Sequence, residues 1–581
     1  MLGDVILWDN LTRRWLSFTQ PVQVISAGAV AEVLPALQAV ESAVERQGRY
    51  AAGFIAYEAG SAFDPALAFQ PPTPLPLLWF GLYHRPAQVE PPLEATGFSV
   101  GEWTPSFSQA DYARAVRRIK TCIGRGETYQ VNFTLRLRAT FTGHPLAYFW
   151  QLARAQHKGY PAFVDAGRYA ICSASPELFF KRDGLRVEMR PMKGTAPRGL
   201  TLAEDNRLAA QLADSAKDRA ENVMIVDMIR NDLGTVADLG TVKTPRLFEV
   251  ERYPTVLQMT SAVTAHTEAT TTRLLAALFP CASITGAPKV RTTQLIAQLE
   301  DSPRGVYTGC IGFLAPGRQA QFNVAIRTVT IDTAAGTAEY GVGSGIVWDS
   351  DEADEYRECQ TKAKVLTTVR PAFDLLETIL WEPADGFFLL DLHLTRLAQS
   401  AEYFEIPVDL ARIRQELART AATFAAAPQR VRLLVSPAGA ATVEATPLAT
   451  STRPPKFKVP LAAGPVDSTN PFLYHKTTHR QVYQQARAAH PDADDVLLWN
   501  ERGQITESTI ANVVVQFGRK WVTPPVSCGL LAGTFRQHLL AQGAIREDII
   551  TPADLERADQ VYLINSVRKW IKVTLLPAVG K

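Results

Sequence analysis

The sequence predicts a mixed α and β fold in two catalytic-sized units, and three observations support this. Short apolar strands alternate with long helices up to about Thr368. A linker signal at Val369-Arg-Pro-Ala372 then interrupts the pattern, and strands followed by a helix restart it. Finally, 581 residues exceed what one hydrophobic core serves. The first unit is expected over residues 1–370 and the second over 371–581. Turn signals at Thr450-Ser-Thr-Arg-Pro-Pro455 and Ala463-Gly-Pro465 divide the second into subdomains of about 371–455 and 465–581.

Taken in chain order, Phe54–Tyr57 and Leu77–Leu82 read as buried strands. Tyr112–Ile119 has helical periodicity, Leu185–Met189 reads as a strand, and Leu202–Asp232 is expected as the longest helix. Pro191, Gly194 and Pro197 place Lys193 in a turn on stiff backbone. Pro288 begins a helix that runs on through Val290–Leu299. The glycine-rich Tyr340–Ile346 precedes an acidic helix. Beyond the linker come strands at Leu375–Leu380 and Gly386–Leu390 and a helix at His393–Phe404.

Composition narrows the function. Hydrophobic residues make up 46% and charged residues 20%, the balance of an ordinary globular protein. A net charge of +2 gives no case for nucleic acid. No apolar run approaches membrane-spanning length. The N-terminal MLGDVILWDN lacks a basic region and a cleavage site, so no signal peptide is expected. Six scattered cysteines without a CxxC pair suit a reducing cytoplasm and argue against disulfides or a zinc site.

Several residues carry candidate chemistry, each beside a plainer alternative. Lys193, enclosed, is a nucleophile; in solvent it is an ordinary turn lysine. Glu221 ends an apolar helical stripe of Met224, Ile225, Met228 and Ile229, where a carboxylate needs a cation or a salt bridge. Glu355, Glu358 and Lys362 share one helix face. With a third acid opposite, the two carboxylates suit Mg²⁺; alone, they are a solvated acidic helix start. Thr285 and Gly286 sit at a turn that offers backbone N–H groups to an anion, or simply caps a helix. Glu177 lies against an apolar, aromatic strand that raises a carboxyl pKa, unless solvent reaches it.

The ordered set Tyr129-Gln130-Val-Asn132, Ser175-Pro-Glu177, Pro191-Met-Lys193-Gly-Thr195, Glu221, Thr285-Gly286-Ala-Pro-Lys289, Gly343-Ser344-Gly345-Ile346 and Glu355…Glu358…Lys362 closely resembles the chorismate-utilising enzymes over roughly residues 50–368. The resemblance implies an α+β fold with two antiparallel sheets around a central site. It also implies Mg²⁺ on Glu221 and Glu358 with Glu355 nearby, and Glu177 as the acid–base group. Chorismate contacts are implied for Gln130, Thr195, Thr285, Gly286, Gly343, Ser344, Gly345 and Lys362. Within the family, anthranilate synthases carry alanine where this chain has Lys193, and aminodeoxychorismate synthases carry lysine. The branch implied is amination of chorismate through a covalent lysine intermediate. Gln258 occupies the place where many relatives have histidine. No cysteine sits in a GxCxG setting, so ammonia is expected from a separate glutamine amidotransferase subunit. Use of glutamine by the pure chain would overturn that.

In the second unit, Arg396, Lys476, Glu507 and Gly533-Thr534 each have a dull reading as surface or loop residues. Their order and spacing resemble the fold-type IV pyridoxal 5'-phosphate enzymes over about 375–570. The resemblance implies Lys476 as the Schiff-base lysine and Glu507 on the pyridine nitrogen. Arg396 and the Gly533–Thr534 helix start would bind the phosphate. Such enzymes often dimerise, which suggests a homodimer through the second unit. Motifs alone separate lyase from aminotransferase poorly. Fusion to an aminodeoxychorismate synthase favours a lyase that releases pyruvate and yields 4-aminobenzoate for folate synthesis. The rivals are an amino-acid aminotransferase, an anthranilate or salicylate synthase, and a ligand sensor with relict sites.

Overall fold

The computed structural model describes residues 3–92, 96–368, 370–448 and 457–576. Two expected breaks lie outside them, at Val369 and at 450–455. The chain forms two compact units, one of residues 3–198 and 209–370 and one of 199–208 and 371–576 among the described residues.

In the first unit the described residues form two antiparallel sheets, of 11 and 10 strands. Gln130–Gly143 runs beside Thr337–Ile346 in the larger sheet, in register from Val131↔Ile346 to Thr140↔Thr337. The smaller sheet places Met192–Pro197 at its edge, paired with Val256–His266. Central strands are buried on both faces, as in Leu78–Tyr83, Cys310–Ala315 and the first half of Gln130–Gly143, and the first two of these read as nearly continuous apolar runs. Ala51, Ile55, Phe80, Phe180 and Phe322 are buried in one core cluster, and Val131, Phe133, Val329 and Tyr340 in another.

The expected long helix at 202–232 is two helices, Leu202–Asp214 and Ala216–Gly234. Ser215 separates them, its hydroxyl accepting from Asp218 N. A serine that bonds a following N–H starts a helix rather than continuing one. The second helix buries Ile225 and Ile229 and carries Glu221 at the edge of that stripe. Glu352–Ala363 begins at Asp351, whose carboxylate accepts from Ala353 N and Asp354 N.

The second unit holds a four-stranded antiparallel sheet ordered Gly386–Phe387, Leu375–Glu382, Gln429–Val435, Ala441–Pro447. An eight-stranded mixed sheet contains Ile505–Ser508 and Asn512–Phe517. Helix Leu390–Phe404 packs on the smaller sheet through Leu394, Leu397 and Ala401. All six cysteines are free and buried. Among the described residues no helix is long and apolar enough to cross a membrane.

Candidate active sites

A cavity of about 290 Å³ opens in the first unit, with Lys193 in its wall. Lys193 belongs to an edge strand and not to the turn its prolines suggest. Pairing slips between Met192 and Thr195, and Gly194 sits in the irregularity at φ +97°. Glycine reaches that conformation without strain, and a bulge re-aims its neighbour's side chain. Lys193 Nζ lies 3.9 Å from Glu221 Oε2, with 14% of the lysine side chain exposed. Burial lowers the lysine pKa and outweighs the opposing charge of Glu221. On the facing strand, a Cβ added at Gly345 would collide with Lys193 Nζ and lie 2.8 Å from Gln130 Nε2.

Around this amine stand five carboxylates of the same cavity: Glu177, Asp218, Glu221, Glu355 and Glu358. Burial pushes Glu177 up to about 7, although Ser283 Oγ donates to its Oε1 at 2.6 Å. Burial also raises Glu221. Glu358 moves the other way: burial opposes its charge, but Lys362, at 2.7 Å, outweighs that and lowers the pKa. Lys362 Nζ donates to Gly343 O at 2.9 Å. Ser350 Oγ donates to Glu355 Oε1 at 2.6 Å. Gln258 donates from Nε2 to Gly194 O at 2.8 Å and accepts from Thr195 Oγ1 at 3.0 Å. It therefore braces the bulge that carries Lys193.

Not every expected substrate contact reaches this cavity. Gly343 and Gly345 line it, but Ser344 does not, because side chains alternate along a strand. The Ser344 hydroxyl instead meets Tyr112 OH at 3.1 Å. Ser283 and Ile284 form the wall at the turn where Thr285 and Gly286 were expected. Thr285 Oγ1 is spent on Cys281 O at 2.9 Å, and Gly286 pairs with Val131. Gln130 lies behind the wall, fully buried, its carboxamide without a hydrogen-bond partner among the described residues.

The second unit has its own cavity, of about 350 Å³, lined by Arg396, Lys476, Glu507, Gly533 and Thr534. Leu376 N bonds Lys476 O at 3.0 Å, tying the lysine segment to strand Leu375–Glu382. Burial, then Arg396, brings Lys476 down to about 8. Burial raises Glu507 to about 7, although Tyr483 OH donates to it at 2.8 Å and Asn512 Nδ2 at 3.2 Å. A Cβ at Gly533 would strike Asn512 Oδ1, so glycine lets the start of helix Thr534–Ala541 approach the Asn512 carboxamide closely. Arg396 is already paired: its Nε and Nη2 donate to Glu377 at 2.9 and 2.6 Å. His393 completes the set, 2.6 Å from Glu377 and 3.3 Å from Thr534 Oγ1. The motif reading missed Glu377, His393 and Tyr483. A lone acid in the apolar run Leu375–Trp381 was the available signal for Glu377.

Residues 3–368 match the family model described as chorismate binding enzyme. This chain belongs to the chorismate binding enzyme family. Residues 374–576 of this chorismate binding enzyme match the model for amino-transferase class IV. Aminodeoxychorismate synthase component 1 of Escherichia coli (strain K12) is 41% identical over 259 residues, 44% of this chain and 57% of that protein. Aminodeoxychorismate synthase of Streptomyces griseus is 41% identical over 282 residues, 48% of this chain and 39% of its own length. Anthranilate synthase component 1 of Thermus thermophilus is 39% identical over 262 residues, 45% of this chain and 56% of its own. The chain thus spans between 39% and 57% of these relatives' length. The crystal structure of anthranilate synthase component I from Streptococcus pneumoniae TIGR4 shares the fold, with TM-score 0.53 and 24% identity over 63% of this chain and 92% of that one.

The donor sets of this chorismate binding enzyme fit the cofactors that the two families imply. Among the described residues no three His, Cys, Asp or Glu side chains converge as a metal cluster. Mg²⁺ needs only one or two carboxylates beside substrate and water. Glu221, whose charge burial leaves under-compensated, is suited to gain such a cation. Glu507, raised by burial in the other cavity, is likewise suited to face a pyridinium.

Proposed function

We propose that the chain makes 4-aminobenzoate in two steps: amination of chorismate to 4-amino-4-deoxychorismate in the first unit, then elimination of pyruvate in the second. The observation that carries the first step is the buried amine of Lys193, with lowered pKa, in one cavity with Glu177. Deprotonated Lys193 attacks ring carbon 2 while the carbon-4 hydroxyl departs. Glu177, held near 7, is partly protonated at neutral pH and gives that hydroxyl its proton, so water leaves. Ammonia then adds at carbon 4 and expels the lysine amine. Lys362 and the Gly343–Gly345 backbone orient the substrate carboxylates. Glu221 and Glu358, with Glu355 beside them, would hold Mg²⁺, which supplies positive charge against a substrate carboxylate.

In the second unit Lys476 would carry pyridoxal 5'-phosphate, which supplies an electron sink. Glu507 would hold the ring nitrogen, and the Gly533–Thr534 helix start would hold the phosphate. Arg396, fixed by Glu377, would support that phosphate from the cavity wall. Once released from the cofactor, the Lys476 amine, brought down to about 8 by burial, would take the proton from ring carbon 4. The bond between ring carbon 3 and the enolpyruvyl oxygen breaks, the departing enolpyruvate takes up that proton and becomes pyruvate, and the ring becomes aromatic. Ammonia comes from a separate glutamine amidotransferase subunit. Two copies pair through the second unit, and the reaction belongs to the cytoplasm and to folate synthesis.

The test is product analysis of the pure chain with chorismate, ammonia, Mg²⁺ and pyridoxal 5'-phosphate. Equal amounts of 4-aminobenzoate and pyruvate are expected. Anthranilate or salicylate would overturn the first assignment. Amino-group transfer to 2-oxoglutarate without pyruvate would overturn the second.

A further inference from the structure

The second cavity contains two arginines that the cofactor reading leaves unused. Arg430 and Arg432 lie on strand Gln429–Val435 and both line the cavity. On this strand Val431, Leu433 and Val435 are buried in the core, which leaves the intervening arginines on the opposite face. Thr378 and Leu376, from the neighbouring strand, line the cavity beside them, and Thr378 is in register with Arg432. Two positions of one strand face stand about 6.6 Å apart.

Little in the protein neutralises this pair. Among the described residues Arg432 has one carboxylate within reach, Glu444 at 4.0 Å, itself 62% exposed and a weak partner. Arg430 has no carboxylate partner within 4 Å among the described residues. Arg480 and Arg568 add charge to the same cavity, whose lining contains a single acid, Glu507. Arg480 stacks on Tyr483 at 4.5 Å and donates to Thr509 O.

We propose that Arg430 and Arg432 are specificity-determining residues that hold the two carboxylates of a dicarboxylate substrate in the second unit. This rests on, and sharpens, the elimination reading, because 4-amino-4-deoxychorismate carries one carboxylate on its ring and one on its enolpyruvyl arm. Apolar amino acids offer one carboxylate and would leave the second guanidinium unanswered. The pair therefore selects against amino acids that carry a single carboxylate.

The experiment uses the full chain loaded with pyridoxal 5'-phosphate and compares Arg430→Leu, Arg432→Leu and the two lysine variants with the parent. The probes are isophthalate and benzoate, titrated against the visible band of the bound cofactor. Isophthalate is expected to perturb the band in the parent at concentrations about tenfold or more below benzoate. Each leucine variant is expected to lose that advantage, and each lysine variant to recover part of it, with cofactor content unchanged in all. The same leucine changes should raise KM for supplied 4-amino-4-deoxychorismate about tenfold or more while kcat stays within about threefold. An isophthalate titration unaltered in both leucine variants overturns the proposal, whatever the pyruvate assay reads. A parent that releases no pyruvate yet loses its isophthalate response in the variants overturns the elimination reading and leaves the dicarboxylate site standing.

Discussion

At the scale of single residues, the first unit depends on where protons sit. Glu177 acts as an acid, so its protonated form is the active one. Amination should decline as pH rises through about 7. Lys193 works deprotonated, so protonating its amine also removes activity. The expected kcat profile is a bell. Glu177→Gln should flatten its alkaline limb and reduce the rate about 10²–10⁴-fold. A profile of unchanged shape would remove Glu177 from the role. Gly345→Ala should act through space alone: the new methyl collides with Lys193 Nζ. Amination should fall about tenfold or more with the circular-dichroism spectrum retained, since a misplaced nucleophile forfeits orientation. An unimpaired variant would mean that the amine works from a different position.

At the scale of elements, the second cavity is held by the strand Leu375–Glu382 and the helix Leu390–Phe404, and Glu377 is what joins them. Burial works against its charge, but Arg396 and His393 outweigh that and bring it to about 2. Its folded pKa lies below the ordinary 4.5, so its stabilisation is present above pH 4.5 and is lost as pH falls toward 2. Glu377→Gln should cost about 3–5 kcal/mol, read at neutral pH as an earlier denaturant midpoint of the second unit. The loss should shrink in acid, and a pH-independent loss would contradict the ion-pair account. Legibility in the sequence also divides at this scale. Strand and helix positions were readable because apolar periodicity is local. The break at Ser215 was not read, because an apolar pattern runs through a cap without changing phase. The bulge at Lys193 depends on a partner strand some sixty positions away, which no local pattern contains. Ser344 illustrates the same limit: the glycine-rich run announced a site, but only the strand's alternation decides which members reach it.

At the scale of the whole chain, each unit has its own core clusters and its own cavity. Two single changes should therefore separate the half-reactions. Lys193→Ala should lose amination yet still release pyruvate from supplied 4-amino-4-deoxychorismate. Lys476→Ala should accumulate that intermediate. Mixing the two variants should restore 4-aminobenzoate, detected by chromatography. No restoration would mean that one unit's chemistry requires the other's intact lysine within the same chain. The six sequestered cysteines have a practical corollary. Maleimide dyes should leave the native chain unlabelled, so alkylation becomes a clock for transient opening. A single cysteine introduced at a solvent-facing position would give a uniquely addressable fluorophore without removing any of the native thiols.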